Sequence, residues 1–497
     1  MSTGDDIERR KVATSNKSKG EPQQLQTLAS AHAEEDLLPV VDDVPFPVWL
    51  IAFVGAAERF AWYGATSPLQ NYIQHSPSSK ILGVLGLREV TATSIVNAMM
   101  AAGYFATILA AVMADMWLGR YRTILVSTLI QLCGSAILFG TSFPRAVQAG
   151  AAEGGLGTAI VLIALGSGGV RSSVPPFIAL LTPRARMVNV GGLSVLITTI
   201  LEKYVGYWVS YLVPLGIMAL SVVPLLVWRH ALVQHPPSGS MGEAKPEKHQ
   251  EKHHRQVSWT DTFIDELKSA LLACRVLEPP QVLLFPIHWL CLNQTFNNLI
   301  SQTGQMVDSG VLIDTIKSLN PIASIILTPV VSRGLYPFLT RRRIRFGPMA
   351  RIVMGSLFLT LAMVYTAILQ KLFYSTGPCY DHALTCPESD QGQIPNQISM
   401  FLQTPTYVLG AIAAIFCFTT GTEYAYSQAP KTMKSVVQSV WMATAGVGAC
   451  LAMAFTPITK DPHLVIMYPS LAGVMTVITV LFGVFFGKHD REKTVLL

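Results

Sequence analysis

The sequence has few charged residues for its length. Only 13% of its 497 residues are Asp, Glu, Lys or Arg, whereas 51% are hydrophobic and the mean hydropathy is +0.42. Soluble globular domains usually contain about 25% charged residues, so this deficit favours a protein that crosses a lipid bilayer many times. The net charge of +6 is modest for a nucleic-acid binder, and we expect no nucleic-acid partner.

Patterns that carry catalysis or metal binding are also lacking. The sequence contains no Cys-x-x-Cys pair, no Cys/His metal spacing, no nucleophile–base pair and no phosphate-binding loop. These absences argue against an enzyme, and we expect neither a metal nor a cofactor. The N-terminal region lacks the apolar centre of a signal peptide, and residues 1–45 are predicted to form a disordered tail.

The sequence does contain twelve apolar segments that are long enough to span a bilayer, for which about 20 residues are needed. A polar linker over 229–281 divides them six plus six. This division predicts an N-terminal bundle over 46–228, a C-terminal bundle over 282–487 and a tail over 488–497. Apolar residues at helical spacing predict an amphipathic helix within the linker. The segments lie at 47–73, 92–114, 121–142, 154–181, 187–207, 209–228, 282–305, 319–340, 348–373, 401–427, 436–457 and 463–486.

Lys and Arg concentrate in the loops that follow the even-numbered segments. By the positive-inside rule, this bias places both termini in the cytoplasm. The same orientation places the polar loop with Cys379 and Cys386 outside, where two cysteines can form a disulfide. The alternative is a pair of free thiols in that loop.

An acidic-then-basic turn follows the second segment and contains Asp115, Gly119 and Arg120. A carboxylate and a guanidinium can pair across neighbouring helix ends, and glycine permits the tight turn. The pattern resembles the loop between helices 2 and 3 of the major facilitator superfamily, which makes Asp115 and Arg120 gating or structural residues. An ordinary positively charged loop is the alternative. Glu423, at the end of the tenth segment, is assigned the same role, with a surface ion pair as its alternative.

Two adjacent charges, Glu58 and Arg59, lie inside the first segment. Their motif, ERFAWYG, is similar to the first helix of the proton-dependent oligopeptide transporter (POT/PTR) family, in its fungal branch. The resemblance extends from Val44 to Phe486. It implies the all-α major facilitator fold, with 12 transmembrane helices in two six-helix bundles, and symport of di- and tripeptides with protons by a monomer in the plasma membrane. Further similar stretches are GSGGVRSSVPPFI, NVGGLSVLITTILEKYVGYW, FPIHWLCLNQTFNNLISQTGQM and GTEYAYSQAPKTMKS.

A proton-coupled carrier needs a dry ionisable group and a partner whose pairing changes when that group takes a proton. Glu58 is predicted to take the proton. Arg59 and Arg171, the latter in the fourth segment, are predicted to hold a substrate carboxylate, because a guanidinium binds carboxylates in a bidentate manner. The alternative is a structural ion pair that fixes helix 1 to helix 4.

Seven residues are predicted to bind substrate. Two of them are aromatics that follow Glu58, and such amphipathic rings suit a peptide backbone together with its side chains. Amides in the seventh segment are costly in a bilayer unless they are hydrogen-bonded, which favours a water-filled cavity. The resemblance implies that Asn189 and Trp441 match cavity positions of the family. Packing or hydrogen bonding between helices is the alternative for all seven. They are Trp62, Tyr63, Asn189, Asn293, Gln294, Asn297 and Trp441.

The sequence departs from the family pattern in three places. Gly55 and Ala414 stand where the family has glutamates, and the link between helices 4 and 5, which contains Arg184 and Arg186, is short. Because the two acids are replaced while the arginines of helices 1 and 4 remain, we expect a preference for carboxylate-bearing solutes over zwitterionic peptides. The alternatives to a peptide symporter are a derived carrier of a non-peptide anion or secondary metabolite, and a transport-dead nutrient sensor.

Overall fold

The computed structural model is almost entirely helical. It describes residues 46–77, 83–181, 191–230, 232, 279–294, 298–307, 316, 318–344, 346–382, 386–389, 394–428, 434–458 and 462–486. The predicted N-terminal tail, the linker helix, Arg184, Arg186 and the C-terminal tail lie outside these residues.

The helices begin and end close to the boundaries that the apolar segments predict. Proline lies in the first turn of several of them, where its missing N–H leaves no helical hydrogen bond unmade. The first half of the chain contains α1 (Phe46–Thr66), α2 (Leu69–Gln74), α3 (Glu89–Met113), α4 (Arg120–Thr141), α5 (Pro144–Gln148), α6 (Ala151–Leu181), α7 (Gly191–Tyr204) and α8 (Tyr207–Val227).

The second half of the chain continues the pattern and adds two short strands. Its elements are α9 (Pro279–Gln294), α10 (Asn298–Gly304), β1 (Met306–Val307), α11 (Leu319–Pro329), α12 (Tyr336–Arg341), α13 (Pro348–Tyr374), β2 (Asn396–Ser399), α14 (Thr404–Ala414), α15 (Thr420–Gln428), α16 (Lys434–Phe455) and α17 (Leu464–Phe486). The strands pair in parallel. Three π-helical turns follow α3, α11 and α14, at Ala114–Leu118, Val330–Leu335 and Ile415–Thr419.

Within the described residues, nine helical stretches are long and apolar enough to cross a membrane. The other three predicted spans contain α1, α7 and the pair α9–α10, which are shorter or more polar. Every one of the twelve predicted segments therefore contains a helix. Large apolar side chains remain exposed on the outer faces, for example Trp49, Ile368 and Val484, as expected for surfaces that contact lipid.

Small residues allow the helices to approach closely. A Cβ built on Gly166 of α6 would lie 2.6 Å from the backbone nitrogen of Gln131 on α4. A Cβ on Gly168 would lie 2.6 Å from the Cβ of Ala106 on α3. Such contacts are typical of helix packing in membranes, where van der Waals fit drives association. Helix α6 is thereby fixed against α3 and α4, and α3 also packs on α16 of the second half.

The loop between α13 and β2 is closed by a disulfide. Cys379 and Cys386 are bonded to each other, with their Cα atoms 5.4 Å apart. The buried Asn396 of β2 fixes the loop, since its Oδ1 accepts from the backbone N–H of Cys379 at 3.2 Å and its Nδ2 donates to the carbonyl of Tyr380 at 2.9 Å. The loop is thus fixed beside the short sheet.

Candidate functional site

Glu58 is buried at the centre of the first half, where it contacts α6. Its Oε1 accepts from Nε of Arg171 at 3.0 Å and from Oγ of Ser167 at 2.5 Å. Ser167 and Arg171 are four residues apart, so they share one face of α6. The Glu58 residue is 1% exposed and Arg171 is 4% exposed. A buried charge is tolerated only when it is paired and hydrogen-bonded, and both conditions are met here.

Arg59 lies at the edge of this pair. Its Nε is 3.7 Å from Oε2 of Glu58, beyond hydrogen-bonding distance, and its side chain is 25% exposed. The two neighbours on α1 therefore have unequal surroundings, one buried and one partly exposed. Together with Arg171 they form a group of two positive charges and one negative charge, which leaves an excess of one positive charge at the site.

Two aromatic rings enclose the guanidinium of Arg171. Its Cζ lies 4.3 Å from the ring centroid of Trp62 and 5.6 Å from that of Tyr104, which are cation–π distances. Gly103 makes room for the indole, because a Cβ there would lie 2.9 Å from Cη2 of Trp62. The Nη2 of Arg171 is buried and has no hydrogen-bond partner in the part of the chain that the structure describes. This N–H group is thus a spare donor beside the ion pair.

Tyr63, the next residue on α1, is partly buried and lies near Arg171 and Tyr104. The structure therefore brings together five residues that the sequence places in the site, with the ring of Trp62 over Arg171. They are Glu58, Arg59, Trp62, Tyr63 and Arg171. Gly55 is buried one turn before Glu58 on α1 and contributes no charge.

An aromatic chain connects this centre to the second half. The rings of Tyr104 on α3 and Trp289 on α9 have centroids 6.0 Å apart, and Trp289 meets Phe418 edge-on at 5.6 Å. All three side chains are partly buried. Gly448 of α16 permits this position of Trp289, since a Cβ there would lie 2.5 Å from the Trp289 Cβ. The second half therefore presents an apolar, aromatic wall to the charged centre.

The predicted amides of α9 have different surroundings. Asn293, one turn after Trp289, is 5% exposed, and its Nδ2 has no hydrogen-bond partner among the described atoms. Gln294 is bonded, because its Oε1 accepts from Nδ2 of Asn298 at 2.5 Å and its Nε2 donates to the carbonyl of Leu290 at 3.2 Å. Asn293 is thus the amide with a donor to spare. Asn297 lies outside the described residues.

Trp441 is buried in contacts with its own half. Its Nε1 donates to Oγ1 of Thr422 at 3.0 Å, and the ring of Phe285 meets it edge-on at 3.9 Å. Phe285 lies one turn before Trp289 on α9. A Cβ on Gly421 would lie 2.4 Å from the indole. Trp441 of α16 therefore packs against both α9 and α15.

The remaining predicted residues are Asp115, Arg120, Glu423 and Asn189. Asp115 is in the π-helical turn after α3, and Arg120 begins α4 after Gly119, whose φ of +72° is in the region that favours glycine. Glu423 is exposed on α15. Asn189 lies outside the described residues.

Sequence reasoning missed Ser167, Tyr104, Trp289 and Phe418. A signal was available only for Ser167, whose i, i+4 spacing to Arg171 predicts a shared helix face. The aromatics are indistinguishable from core residues without the fold.

A second buried carboxylate, also missed, belongs to α7. Oε1 of Glu202 on α7 accepts from Nδ2 of Asn71 at 3.3 Å and from the hydroxyl of Tyr207 at 3.0 Å. Glu202 is 6% exposed. These bonds join α2, α7 and α8, which fixes the short helix α2 in place.

Comparison with known proteins gives a consistent result. The model of the POT family matches residues 121–248 and 243–472. "Peptide transporter PTR_C" of Candidozyma auris is 35% identical over 90% of this chain and 85% of its own length. "Probable peptide transporter ptr2" of Schizosaccharomyces pombe is 35% identical over 93% of this chain and 81% of its own length. The crystal structure of the POT family transporter PepTSo covers 90% of this chain and 99% of its own, with a TM-score of 0.66 and 20% identity.

Proposed function

This chain belongs to the POT family, a family of major facilitator transporters, and from that premise we propose that it moves small peptides or peptide-like solutes together with protons by alternating access. The observation that carries the proposal is the buried pair of Glu58 and Arg171. An ion pair in a membrane span is rarely retained for stability alone, and such residues mark ion and substrate pathways.

Protonation of Glu58 is the step that couples the proton to the substrate. A neutral carboxyl group loses the charge-assisted bond to Nε of Arg171, which is among the strongest contacts at the site. The guanidinium then pairs with the carboxylate of a substrate, for which Nη2 already provides a spare donor. When Glu58 releases the proton on the other side of the membrane, its carboxylate pairs with Arg171 again and displaces the substrate.

Arg59 and Ser167 support this exchange. Ser167 stabilises the charged form of Glu58 through its short hydrogen bond, so the carboxylate returns to a prepared partner. Arg59, partly exposed and with its Nε 3.7 Å from Oε2 of Glu58, adds positive charge that attracts a substrate carboxylate toward the site. The proton gradient supplies the driving force, so the transporter needs no cofactor.

The charges of the loops support one orientation of the chain in the membrane. Lys and Arg lie mostly in the loops after even-numbered spans, which favours cytoplasmic termini. The disulfide between Cys379 and Cys386 is then on the outer, oxidising side. We place the transporter in the plasma membrane, where it acts as a monomer.

Reconstitution into proteoliposomes with an imposed pH gradient tests the proposal. Wild type is expected to accumulate a labelled dipeptide. Glu58→Gln is expected to lose this accumulation, because an amide cannot take up a proton, while it keeps exchange of labelled for unlabelled substrate. Exchange also shows that the variant is folded. Glu153→Gln is the matched control, since Glu153 is exposed in the first turn of α6, and should accumulate substrate as wild type does.

Two results oppose the proposal in different ways. Proton-driven accumulation by Glu58→Gln contradicts the assigned role of Glu58. Failure of wild type to accumulate any peptide or anion favours the transport-dead sensor instead, and accumulation of anions without peptides favours the derived carrier.

A further inference from the structure

We infer that the site selects substrates with a carboxylate, an amide carbonyl and an apolar or aromatic side chain, and that it needs no cationic amine; N-acylated dipeptides are the class that fits. The inference rests on the proposed function, because it names the substrate of the same site. Three features carry it: the excess positive charge at Glu58, the composition of the opposite wall, and two buried donors that lack partners.

The charge at the site disfavours an ammonium group. Arg59 and Arg171 carry two positive charges against the one negative charge of Glu58. In the transport cycle Glu58 becomes neutral as the substrate binds, and the excess then rises to two. A substrate carboxylate compensates one of these charges, whereas a free amine on the same substrate adds another and is repelled.

Among the described residues, the opposite wall provides no compensating acid for an amine. The described helices of the second half, α9 to α17, contain one acidic residue, Glu423, which is exposed on α15. The side chains that continue from the charged centre are Trp289 and Phe418. Ala414, one turn before Phe418, is partly buried and contributes a methyl group. Moving an apolar group from water to this wall costs little free energy, whereas an ammonium group loses its hydration there and gains no counter-ion.

Two buried donors define where the polar groups of the substrate bind. Nη2 of Arg171 and Nδ2 of Asn293 are both buried, and neither has a hydrogen-bond partner among the described residues. Buried donors are normally satisfied, so an unsatisfied one in a transport site points to a ligand acceptor. A carboxylate suits the guanidinium, and an amide carbonyl suits Asn293. Because Asn293 lies one turn after Trp289 on α9, the carbonyl and the apolar side chain bind to adjacent parts of the wall.

An N-acylated dipeptide has all three groups and lacks the amine. Acylation converts the ammonium into an amide, which removes the positive charge and adds a carbonyl acceptor. The acetyl or longer acyl group then lies against the aromatic wall near Ala414. A free dipeptide of the same sequence has the carboxylate and the side chain, but brings its ammonium group to a site with excess positive charge.

The test uses labelled N-acetyl-Phe-Ala and labelled Phe-Ala with the purified full-length protein. Equilibrium binding is measured for both, and accumulation in proteoliposomes is measured in parallel. N-acetyl-Phe-Ala is expected to bind at least tenfold more tightly than Phe-Ala. Ala414→Glu is expected to reverse this order by adding an acid to the wall, and Ala414→Gln, of equal size but neutral, is expected to keep the wild-type order.

The outcomes separate this inference from the proposed function. Equal or tighter binding of Phe-Ala by wild type overturns the inference. It is also overturned if neither compound binds to wild type, or if Ala414→Glu and Ala414→Gln prefer the same compound. Preferred binding of N-acetyl-Phe-Ala without proton-driven accumulation supports the inference and contradicts the proposed function. Equal binding with accumulation of both contradicts the inference and supports the proposed function.

Discussion

The two halves of the molecule bring different chemistry to one site. The first half provides charge, with Glu58 and Arg171 buried in a pair and enclosed by Trp62 and Tyr104. The second half provides an aromatic wall and the buried amide of Asn293. Proton coupling can therefore belong to the first half and substrate selection largely to the second. Changes in the first should abolish accumulation, and changes in the second should alter affinity and preference.

Removing the guanidinium should have the largest effect. Arg171→Ala leaves Glu58 buried without its partner, and breaking one side of such a pair destabilises a protein by about 3–5 kcal/mol. We expect loss of accumulation and of exchange, together with a lower Tm in detergent. Arg171→Lys keeps the charge but loses the planar fork, so it should retain measurable exchange with weaker binding. If Arg171→Ala accumulates substrate as wild type does, the charged centre is not the coupling site.

In the second half, the change with the largest expected effect is Gly448→Ala, which acts through packing. A Cβ on Gly448 would lie 2.8 Å from the carbonyl oxygen of Pro286 as well as against Trp289. A backbone carbonyl cannot move aside as the end of a flexible side chain can, so Gly448→Ala should destabilise the protein by about 1–3 kcal/mol. Because Trp289 is displaced, affinity for aromatic substrates should fall while proton-driven accumulation persists. Gly473→Ala is the control, since a Cβ there meets nothing within 4 Å. Equal effects of the two changes on Tm and affinity contradict this role of Gly448.

The sequence could predict the charged half of the site better than the apolar half. Charges inside an apolar segment stand out without any fold, so Glu58, Arg59 and Arg171 were identifiable. Trp289 and Phe418 were not, because aromatic residues occur throughout apolar helices and only the packing of α9 against the turn after α14 distinguishes these two. For Trp441 the resemblance implies a cavity residue and packing is the alternative, and in the structure its ring packs against Phe285.

The positions of the helices could be predicted from the apolar segments. The helices fall on all twelve predicted segments, because length and hydropathy determine where a chain can cross a bilayer. The π-helical turns at Val330–Leu335 and Ile415–Thr419 could not be predicted, since they depend on tertiary packing.

A smaller change should affect selection alone. Asn293→Leu removes the spare donor and keeps the branched shape and the number of non-hydrogen atoms, so we expect binding of amide-containing substrates to weaken about tenfold, equivalent to about 1.4 kcal/mol. The pH dependence of accumulation should stay that of wild type, since Glu58 and Arg171 are untouched. Gln294→Leu is the matched comparison, because the amide of Gln294 is hydrogen-bonded to Leu290 and Asn298. Loss of these bonds should lower Tm without changing selectivity. Unchanged affinity in Asn293→Leu removes Asn293 from the site.

The smallest effect on transport is expected far from both halves of the site. Cys379→Ser opens the disulfide to Cys386, and loss of a cross-link over a short loop should destabilise by about 2 kcal/mol. The loop keeps the hydrogen bonds of Asn396, so accumulation per folded molecule should equal that of wild type. Asn396→Ala breaks those bonds instead and leaves the disulfide intact, and it should likewise lower Tm without changing the affinity for substrate. A change in substrate preference in either variant would make this loop a third determinant of selection. Such a result contradicts the assignment of proton coupling to Glu58 and Arg171 and of substrate selection to the wall at Trp289.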